Sequence, residues 1–308
     1  MAIRAPMMKE PEAATDVFGI SNAMTQPLPA FNSTFPVDMS LNKRPAYSQN
    51  IAIGSRLQGT KHLYTDTTGA EVNEVEYVWD FMDGWGGFNS SNSDYRSWNW
   101  KRAKGFMDVV AYDGNNSNTV KKHSLGVIPE MIIYKCRSNG ASNRFWTVYH
   151  ASEGPTKYQR LNEVYGNDPS LNLYQSTPTA TQFNVISGSV LNETGYTYIA
   201  YLFATLDGIS KVGSYTGNGS YQTINCGFSA GSRFVLIRRT DANGDWYVWD
   251  SNRGIIAGND PHMSLNNQAA QVTNDDSVDP HNSGFIVNQV SATNINVSSG
   301  TYIFYAIA

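Results

Sequence analysis

The feature that most constrains the fold is an aromatic, nearly uncharged run that the chain uses twice. It reads GYTYIAYLFA at residues 195–204 and GTYIFYAIA at residues 300–308. Aromatic and β-branched residues dominate both runs, which is typical of β-strands that are buried on both faces. A weaker version, YRSWNWKRA, occupies residues 95–103 and carries Trp98 and Trp100 at its apolar positions. We therefore expect each run to close one folding unit.

The segments that precede the two stronger runs also match each other. Tyr112 and Gly114 correspond to Tyr215 and Gly217, and the apolar residues 131–134 correspond to residues 234–237. Short apolar runs alternate with turns rich in Gly, Asn, Ser and Asp, as in YTGNGS. This pattern predicts an all-β fold built from tandem antiparallel β-sandwich units, jelly-roll-like, at residues 105–207 and 208–308.

Composition limits the classes of partner. The 308 residues are 41% hydrophobic and 16% charged, which suffices for several hydrophobic cores. The net charge of −4 gives no basic surface for nucleic acid. The sequence starts without the apolar segment of a signal peptide, and no later run has the length of a membrane span. We expect a chain made in the bacterial cytoplasm, with no nucleic-acid partner and no membrane insertion.

The first 52 residues differ in composition from the rest. Six prolines interrupt them and no strand or helix period is sustained, although large apolar side chains are scattered through them. A fully solvated linker would not need such side chains. We predict an extended, Pro-rich docking arm at residues 1–52 that becomes ordered on a partner; the alternative is a tail that wraps its own domain. The candidate docking residues are Phe18, Met24, Phe31, Phe35 and Met39.

Residues 53–104 match only the second half of a unit. Arg56 and Leu57 correspond to Arg160 and Leu161, and the closing strand is shared, but the YxGN half is missing. A partial β unit leaves an apolar face that something must cover. Its own downstream unit, the arm or a neighbouring subunit could cover this face, and we take the bare face as an indication of a homo-oligomer.

Tryptophan and cysteine positions yield further expectations. Trp146 and Trp246 recur at matching positions and are predicted to lie in the core. Trp85 lies between glycines and Trp249 alternates with polar residues, so both are candidate exposed aromatic contacts for a sugar or an interface. Cys136 and Cys226 are interpreted as two buried thiols, with a disulfide as the alternative.

No motif indicates catalysis. Glu71, Glu74 and Glu76 could form the paired carboxylates of a glycosidase, but a solvated strand edge explains them equally well. The histidines lack metal-ligand spacing, and NDDSVD at residues 274–279 resembles a calcium loop only loosely. We predict a non-enzymatic protein without a catalytic site, metal site or cofactor.

The succession WNWKRA, DVVAYDGN, HSLGVIPEMIIYK, FWTVYH and GYTYIAYLFA resembles a tandem module of tail and virion structural proteins of tailed bacteriophages, especially those of marine and cyanobacterial hosts. The resemblance covers residues 53–308. It implies a structural protein of the virion whose partners are other virion proteins. A tail-associated fibre or tail-tip protein is favoured, and a trimer is the state expected of a fibre. The alternatives are a capsid decoration or head-fibre protein, and a carbohydrate-binding module that attaches to host surface polysaccharide.

Overall fold

The computed structural model describes residues 8–141, 143–166, 173–174, 176–187 and 190–308. These residues form antiparallel β-sheets joined by polar turns, with short 3-10 helices at Ala14–Asp16 and Arg56–Gln58. The predicted all-β sandwich class is therefore confirmed. The sheets divide the chain into a first unit (residues 8–104), a second unit (105–207) and a third unit (208–308).

The first unit is a complete sandwich. Its large sheet has the strand order β1-β8-β3-β4-β5-β6, and a small sheet pairs β2 with β7. The strands are β1 (Phe18–Ser21), β2 (Phe31–Asn32), β3 (Met39–Lys43), β4 (Ala52–Ser55), β5 (Lys61–Tyr64), β6 (Val72–Asn73), β7 (Gly84–Trp85) and β8 (Arg96–Trp100).

This arrangement corrects two predictions, the docking arm at residues 1–52, of which residues 1–7 lie outside the described residues, and the partial unit at residues 53–104. The closing strand β8 lies between β1 and β3, so both of its hydrogen-bonding neighbours come from the predicted arm. Trp98, for example, is opposite Ile20 on one side and Leu41 on the other. Proline-containing turns separate these short strands, which hides their period in the sequence.

The second unit repeats this topology. Its large sheet has the order β9-β15-β11-β12-β13, and β10 pairs with β14 in the small sheet. The strands are β9 (Met107–Asp113), β10 (Thr119–Lys122), β11 (Met131–Cys136), β12 (Thr147–His150), β13 (Gln159–Arg160), β14 (Gln182–Val185) and β15 (Thr197–Phe203).

The third unit repeats it again, with the large-sheet order β16-β23-β18-β19-β20 and a small sheet of β17, β22 and β21. Its strands are β16 (Ser210–Thr216), β17 (Gln222–Asn225), β18 (Phe234–Arg239), β19 (Tyr247–Asp250), β20 (His262–Ser264), β21 (Val278–His281), β22 (Gly284–Val287) and β23 (Thr301–Ile307). All three large sheets share the order first, last, third, fourth and fifth strand, and β6 adds a sixth strand at the edge of the first unit's sheet. The predicted repetition of one fold in residues 105–308 is confirmed, and it extends to the first unit.

One face of each large sheet contributes to a central core that all three units share. Along β11, Met131 and Ile133 enter this central core, whereas Ile132 and Tyr134 point towards the small sheet of their own unit. Side chains alternate between faces along a strand, so a strand with both faces covered is apolar throughout. A cavity of about 30 Å³ lined by all three units is the space of roughly one water molecule, so the central core is nearly filled.

Buried cations connect the units in a cyclic order. Lys43, Lys135 and Arg238 occupy equivalent places on β3, β11 and β18, two residues beyond the pairs Leu41–Trp98, Ile133–Tyr201 and Leu236–Tyr305. Each has 0% exposure and donates to a carbonyl of another unit. Lys43 Nζ lies 2.6 Å from Ala269 O, Lys135 Nζ lies 2.8 Å from Thr68 O, and Arg238 Nη2 bonds to Tyr165 O. The first unit thus donates to the third, the third to the second, and the second to the first.

Candidate functional site: an aromatic cleft in the first unit

The five candidate docking residues lie in the interior of the first unit or in the central core. Their exposures range from 0% for Phe18 to 6% for Met24. The ring of Phe18 is 5.6 Å from that of Phe234 in the third unit, in an edge-on contact. Because these side chains pack within the chain itself, their prediction as docking contacts is wrong. The full set is Phe18, Met24, Phe31, Phe35 and Met39.

The prediction that Trp85 and Trp249 are exposed is also wrong, since each has 0% exposure. The indole of Trp85 stacks on Trp79 with 5.0 Å between ring centres and donates to Asn99 Oδ1 at 2.8 Å. The preceding Gly84 is needed for close strand approach, because a Cβ there would lie 2.2 Å from the carbonyl oxygen of Phe31. The glycine that suggested a loose loop therefore marks tight packing.

The other tryptophan prediction is confirmed. Trp146 and Trp246 have exposures of 0% and 1% and belong to the central core. Their rings lie near the buried cations of their own units, Lys135 and Arg238, at 6.0 and 5.6 Å. The three cations were missed, although the basic residue that follows each matched apolar run was visible in the sequence.

The first unit differs from the other two on the large-sheet face that covers its own small sheet. On this face, Ser40 of the first unit is paired with Asn99 on one side and Gly54 on the other. The equivalent residue of the second unit, Ile132, is paired with Leu202 and Tyr149. Likewise, Asn42 and Ser97 correspond in register to the second unit's Tyr134 and Ala200. The third unit is apolar at all five of these positions, with Val235, Ile237, Trp249, Phe304 and Ala306. The first unit alone therefore has a polar, small-residue face in its sandwich.

Aromatic rings from the loop between β6 and β7 fill part of the space that these small residues leave. The ring of Tyr77 lies against Gly54, where an added Cβ would be 2.9 Å from Tyr77 Cδ1. Tyr77 also stacks on His62, with ring centres 4.6 Å apart and planes inclined by 16°. Asn42 Nδ2 donates to the Tyr77 hydroxyl at 3.0 Å and fixes its position.

Beside this cluster, the sandwich opens to solvent in a cleft of about 220 Å³, which we call the aromatic cleft. Its lining combines aromatic rings with amides and one carboxylate. The lining residues are Asn42, Gln49, Asn50, Ala52, His62, Tyr64, Glu74, Tyr77, Phe88 and Tyr95. Tyr64, Phe88 and Tyr95 are half-buried, so their rings are accessible in part.

Two titratable groups of the aromatic cleft, His62 and Glu74, have shifted pKa values. Burial lowers the pKa of His62, which keeps its imidazole neutral at pH 7. Its Nδ1 is buried and has no hydrogen-bond partner among the described residues. A hydrogen bond with the Glu76 carboxyl, with burial second, raises the pKa of Glu74. The cleft therefore presents hydrogen-bonding groups beside ring faces.

A second group of acids lies in the third unit, where NDDSVD is located. Burial raises the pKa of Asp260 to about 7, and the nearby Asp279 and Asp276 add to the shift. Asp260 Oδ2 accepts the Val278 N–H at 2.8 Å. Within the described ranges, no set of three or more His, Cys, Asp or Glu side chains is arranged to hold a metal ion.

Both cysteines are free thiols in the interior, with exposures of 2% for Cys136 and 6% for Cys226. Burial raises the pKa of Cys226 to about 12. The described part of the chain has no helix of the length and apolarity that a membrane crossing requires.

Comparison with known proteins gives one family. The model of a family described as a domain of unknown function, DUF7483, matches residues 32–308, which includes the aromatic cleft. No curated protein and no solved structure matches the chain. The match begins at the end of β2 and includes every later strand, so the chain belongs to the DUF7483 family.

Proposed function

We propose that this protein is a non-enzymatic structural component of a tailed-bacteriophage particle, associated with the tail as a fibre or tail-tip protein. The resemblance of residues 53–308 to tandem virion modules motivates the proposal. The observation that carries it is the cyclic set of buried contacts through which each unit holds the next. Such interlocking joins three sandwiches into one body, as a load-bearing part of a particle requires.

The acidic residues favour a structural role over glycoside hydrolysis. Glu71 is held by Arg137, with Nε 2.8 Å from Oε2, and by Lys61 at 3.0 Å. The Glu76 carboxyl is the largest cause of the raised pKa of Glu74, so the two neighbouring glutamates influence each other. Glu71 thus joins the second unit to the first as an ion-paired residue, which is a structural role.

The arrangement of the units also changes the expected oligomer. The predicted homo-oligomer was based on a bare half-sandwich, whereas the first unit is complete and packs against the other two. We propose that one chain supplies the threefold-like arrangement that a fibre would otherwise obtain from three chains. Light scattering on the purified protein is expected to give the mass of one chain. A mass of three chains would support the predicted homotrimer instead.

The location in the particle tests the virion proposal. Antibodies against the folded protein, used with electron microscopy of purified particles, are expected to label the tail. Labelling of the head would support the alternative of a capsid decoration or head-fibre protein. Particles that contain none of the chain by mass spectrometry would refute a structural role.

A second candidate function, attachment to host surface polysaccharide, is favoured by the aromatic cleft. Accessible rings beside amide side chains are the groups with which proteins bind sugars, because a ring face packs on C–H groups while amides bond to hydroxyls. Weak single contacts gain avidity when a particle displays many copies. Attachment and a structural role are compatible in one virion protein.

A further inference from the structure

We propose that the aromatic cleft binds one uncharged pyranose ring of a longer glycan. The inference deepens the attachment role proposed above as the second candidate, and it does not depend on where in a particle the chain lies. It follows from the size of the cleft, the placement of its rings and the charges of its lining.

The cleft lies beside positions at which the first unit differs from the other two copies of the fold. Where the second unit carries Tyr134 and the third carries Ile237, the first carries Asn42. Filling this position with an apolar side chain would be the simpler way to stabilise a sandwich core, as the other two units show. Asn42 at this position leaves space beside Tyr77 and places an amide group there.

The rings supply a platform at the mouth of the cleft. Tyr64 meets the edge of His62 with ring centres 4.9 Å apart, and Tyr95 and Phe88 line the same opening. All three are half-buried, which holds each ring in place while leaving part of it accessible. A pyranose has an apolar face of C–H groups that packs on such rings, and its hydroxyls point to the rim.

The rim supplies hydrogen-bonding groups of both kinds. Gln49 and Asn50 offer amide groups that can donate and accept hydrogen bonds. A sugar hydroxyl is both donor and acceptor and can pair with either kind of group. Asn50 is positioned by Asp66, whose carboxylate oxygens accept its Nδ2 at 2.9 and 3.1 Å.

Size and charge define the ligand class. The volume of about 220 Å³ is below the ~300–1,000 Å³ of pockets that enclose drug-sized ligands, so one ring of a chain fits better than an oligosaccharide. The lining contains Glu74 and no Lys or Arg. Arg44, whose guanidinium lies 5.9 Å from the ring centre of Tyr95, is paired with Asp94 at 3.0 Å. A carboxylated sugar would meet the like charge of Glu74, which favours a neutral one.

The test is titration of the full chain with methyl β-D-galactopyranoside, methyl β-D-glucopyranoside and methyl α-D-mannopyranoside, followed by saturation-transfer NMR. Methyl β-D-glucuronide is the charged comparison. We expect saturable binding of at least one neutral pyranoside and weaker binding of the glucuronide. Tyr64→Ala and Tyr95→Ala should each weaken binding by about tenfold.

The matched control is Tyr165→Ala, since Tyr165 is 61% exposed and lies in the second unit, outside the cleft. It should bind as the unchanged protein does. Glu74→Gln changes the rim without removing a ring, and it should raise the affinity for the glucuronide while the fold is retained. No saturable binding of any neutral pyranoside, binding that survives both cleft tyrosine changes, or a preference of the unchanged protein for the glucuronide would overturn the inference. Sugar binding by a chain that is absent from particles would refute the virion role alone.

Discussion

The indole Nε1 of Trp146 lies 2.9 Å from the carbonyl oxygen of Tyr64, so a buried side chain joins the second unit to the first. Trp246 makes the equivalent bond from the third unit to Arg160 O at 3.0 Å. The first unit has Ile51 at this position, which has no indole to donate. Thr65 Oγ1 instead donates a hydrogen bond to the third unit, 2.6 Å from Leu265 O. Because these bonds and the central core span all three units, we expect the units to unfold together.

Truncation of Trp146 tests this coupling. Trp146→Ala should lower the free energy of unfolding by about 3–5 kcal/mol, because it leaves a cavity in the central core and orphans the Tyr64 carbonyl. Urea unfolding followed by circular dichroism measures the change. Met82→Ala is the control, since Met82 is 76% exposed, and it should change the value by less than about 0.5 kcal/mol. A separate early transition of the second unit alone would contradict the coupling.

The closing strands were predictable because both of their faces are covered, which leaves a continuous apolar run such as 198–203. The strands of the first unit were not predictable in this way, because Ser40 and Asn42 interrupt the apolar residues of β3 and make the segment look polar. Isolated apolar residues of this segment, such as Met39, were therefore predicted to be docking contacts. In the structure, Met39 and Leu41 face the central core. The aromatic cleft could not be predicted from the sequence, because Tyr64 and Tyr95 come to line one cleft only through the successive pairing of β5, β4, β3 and β8.

The buried lysines predict a pH dependence of stability on the alkaline side. Burial lowers the pKa of Lys43 and Lys135 to about 8, from an ordinary 10.5. Above pH 8 the folded lysines lose their protons while the unfolded ones keep them, so the unfolded state binds more protons and stability rises with pH. Cys226, whose pKa burial raises from 9.0 to about 12, opposes this above about pH 9, and the buried tyrosines with raised pKa values oppose it above about pH 10. A comparison of variants between about pH 8 and 10 cancels these contributions, because the variants share them.

Lys135→Met isolates this effect. The variant keeps the length of the side chain and removes its titration, so its unfolding free energy should rise less between pH 8 and 10 than that of the unchanged protein. Lys104→Met, a change at an exposed lysine, should leave the slope as it is. Equal slopes for the unchanged protein and Lys135→Met would show that Lys135 titrates as an ordinary lysine.

Asp260 predicts the opposite trend on the acidic side. Burial raises its pKa to about 7 from an ordinary 3.8. Between these values the folded state binds more protons than the unfolded state, so stability falls as pH rises from about 4 to about 7. Asp260→Asn keeps an acceptor for the Val278 N–H and should flatten this part of the profile, with a gain in stability above pH 7. Thermal melts at about pH 5 and pH 8 measure it.

The exposed Asp83 supplies the control for Asp260. Asp83→Asn removes a carboxylate of the first unit without touching the third, and its melts should follow those of the unchanged protein. If Asp260→Asn is less stable at pH 8 than the unchanged protein, the charged carboxylate is stabilised there, for instance by a bound cation, and the proposed penalty of burying it is wrong.

The two cysteines predict a thiol count that changes on unfolding. Cys136 and Cys226 are free and nearly inaccessible, and burial raises the pKa of Cys226 to about 12, which suppresses its reactive thiolate. Ellman's reagent should therefore find no fast-reacting thiol in the folded protein and two in guanidinium without reductant. Cys226→Ser should give one under the same denaturing conditions. A count of zero for the unfolded, unreduced chain would instead demonstrate a disulfide between the two cysteines. The packing around β11 and β17, where each thiol is buried in its own unit, would then be wrong.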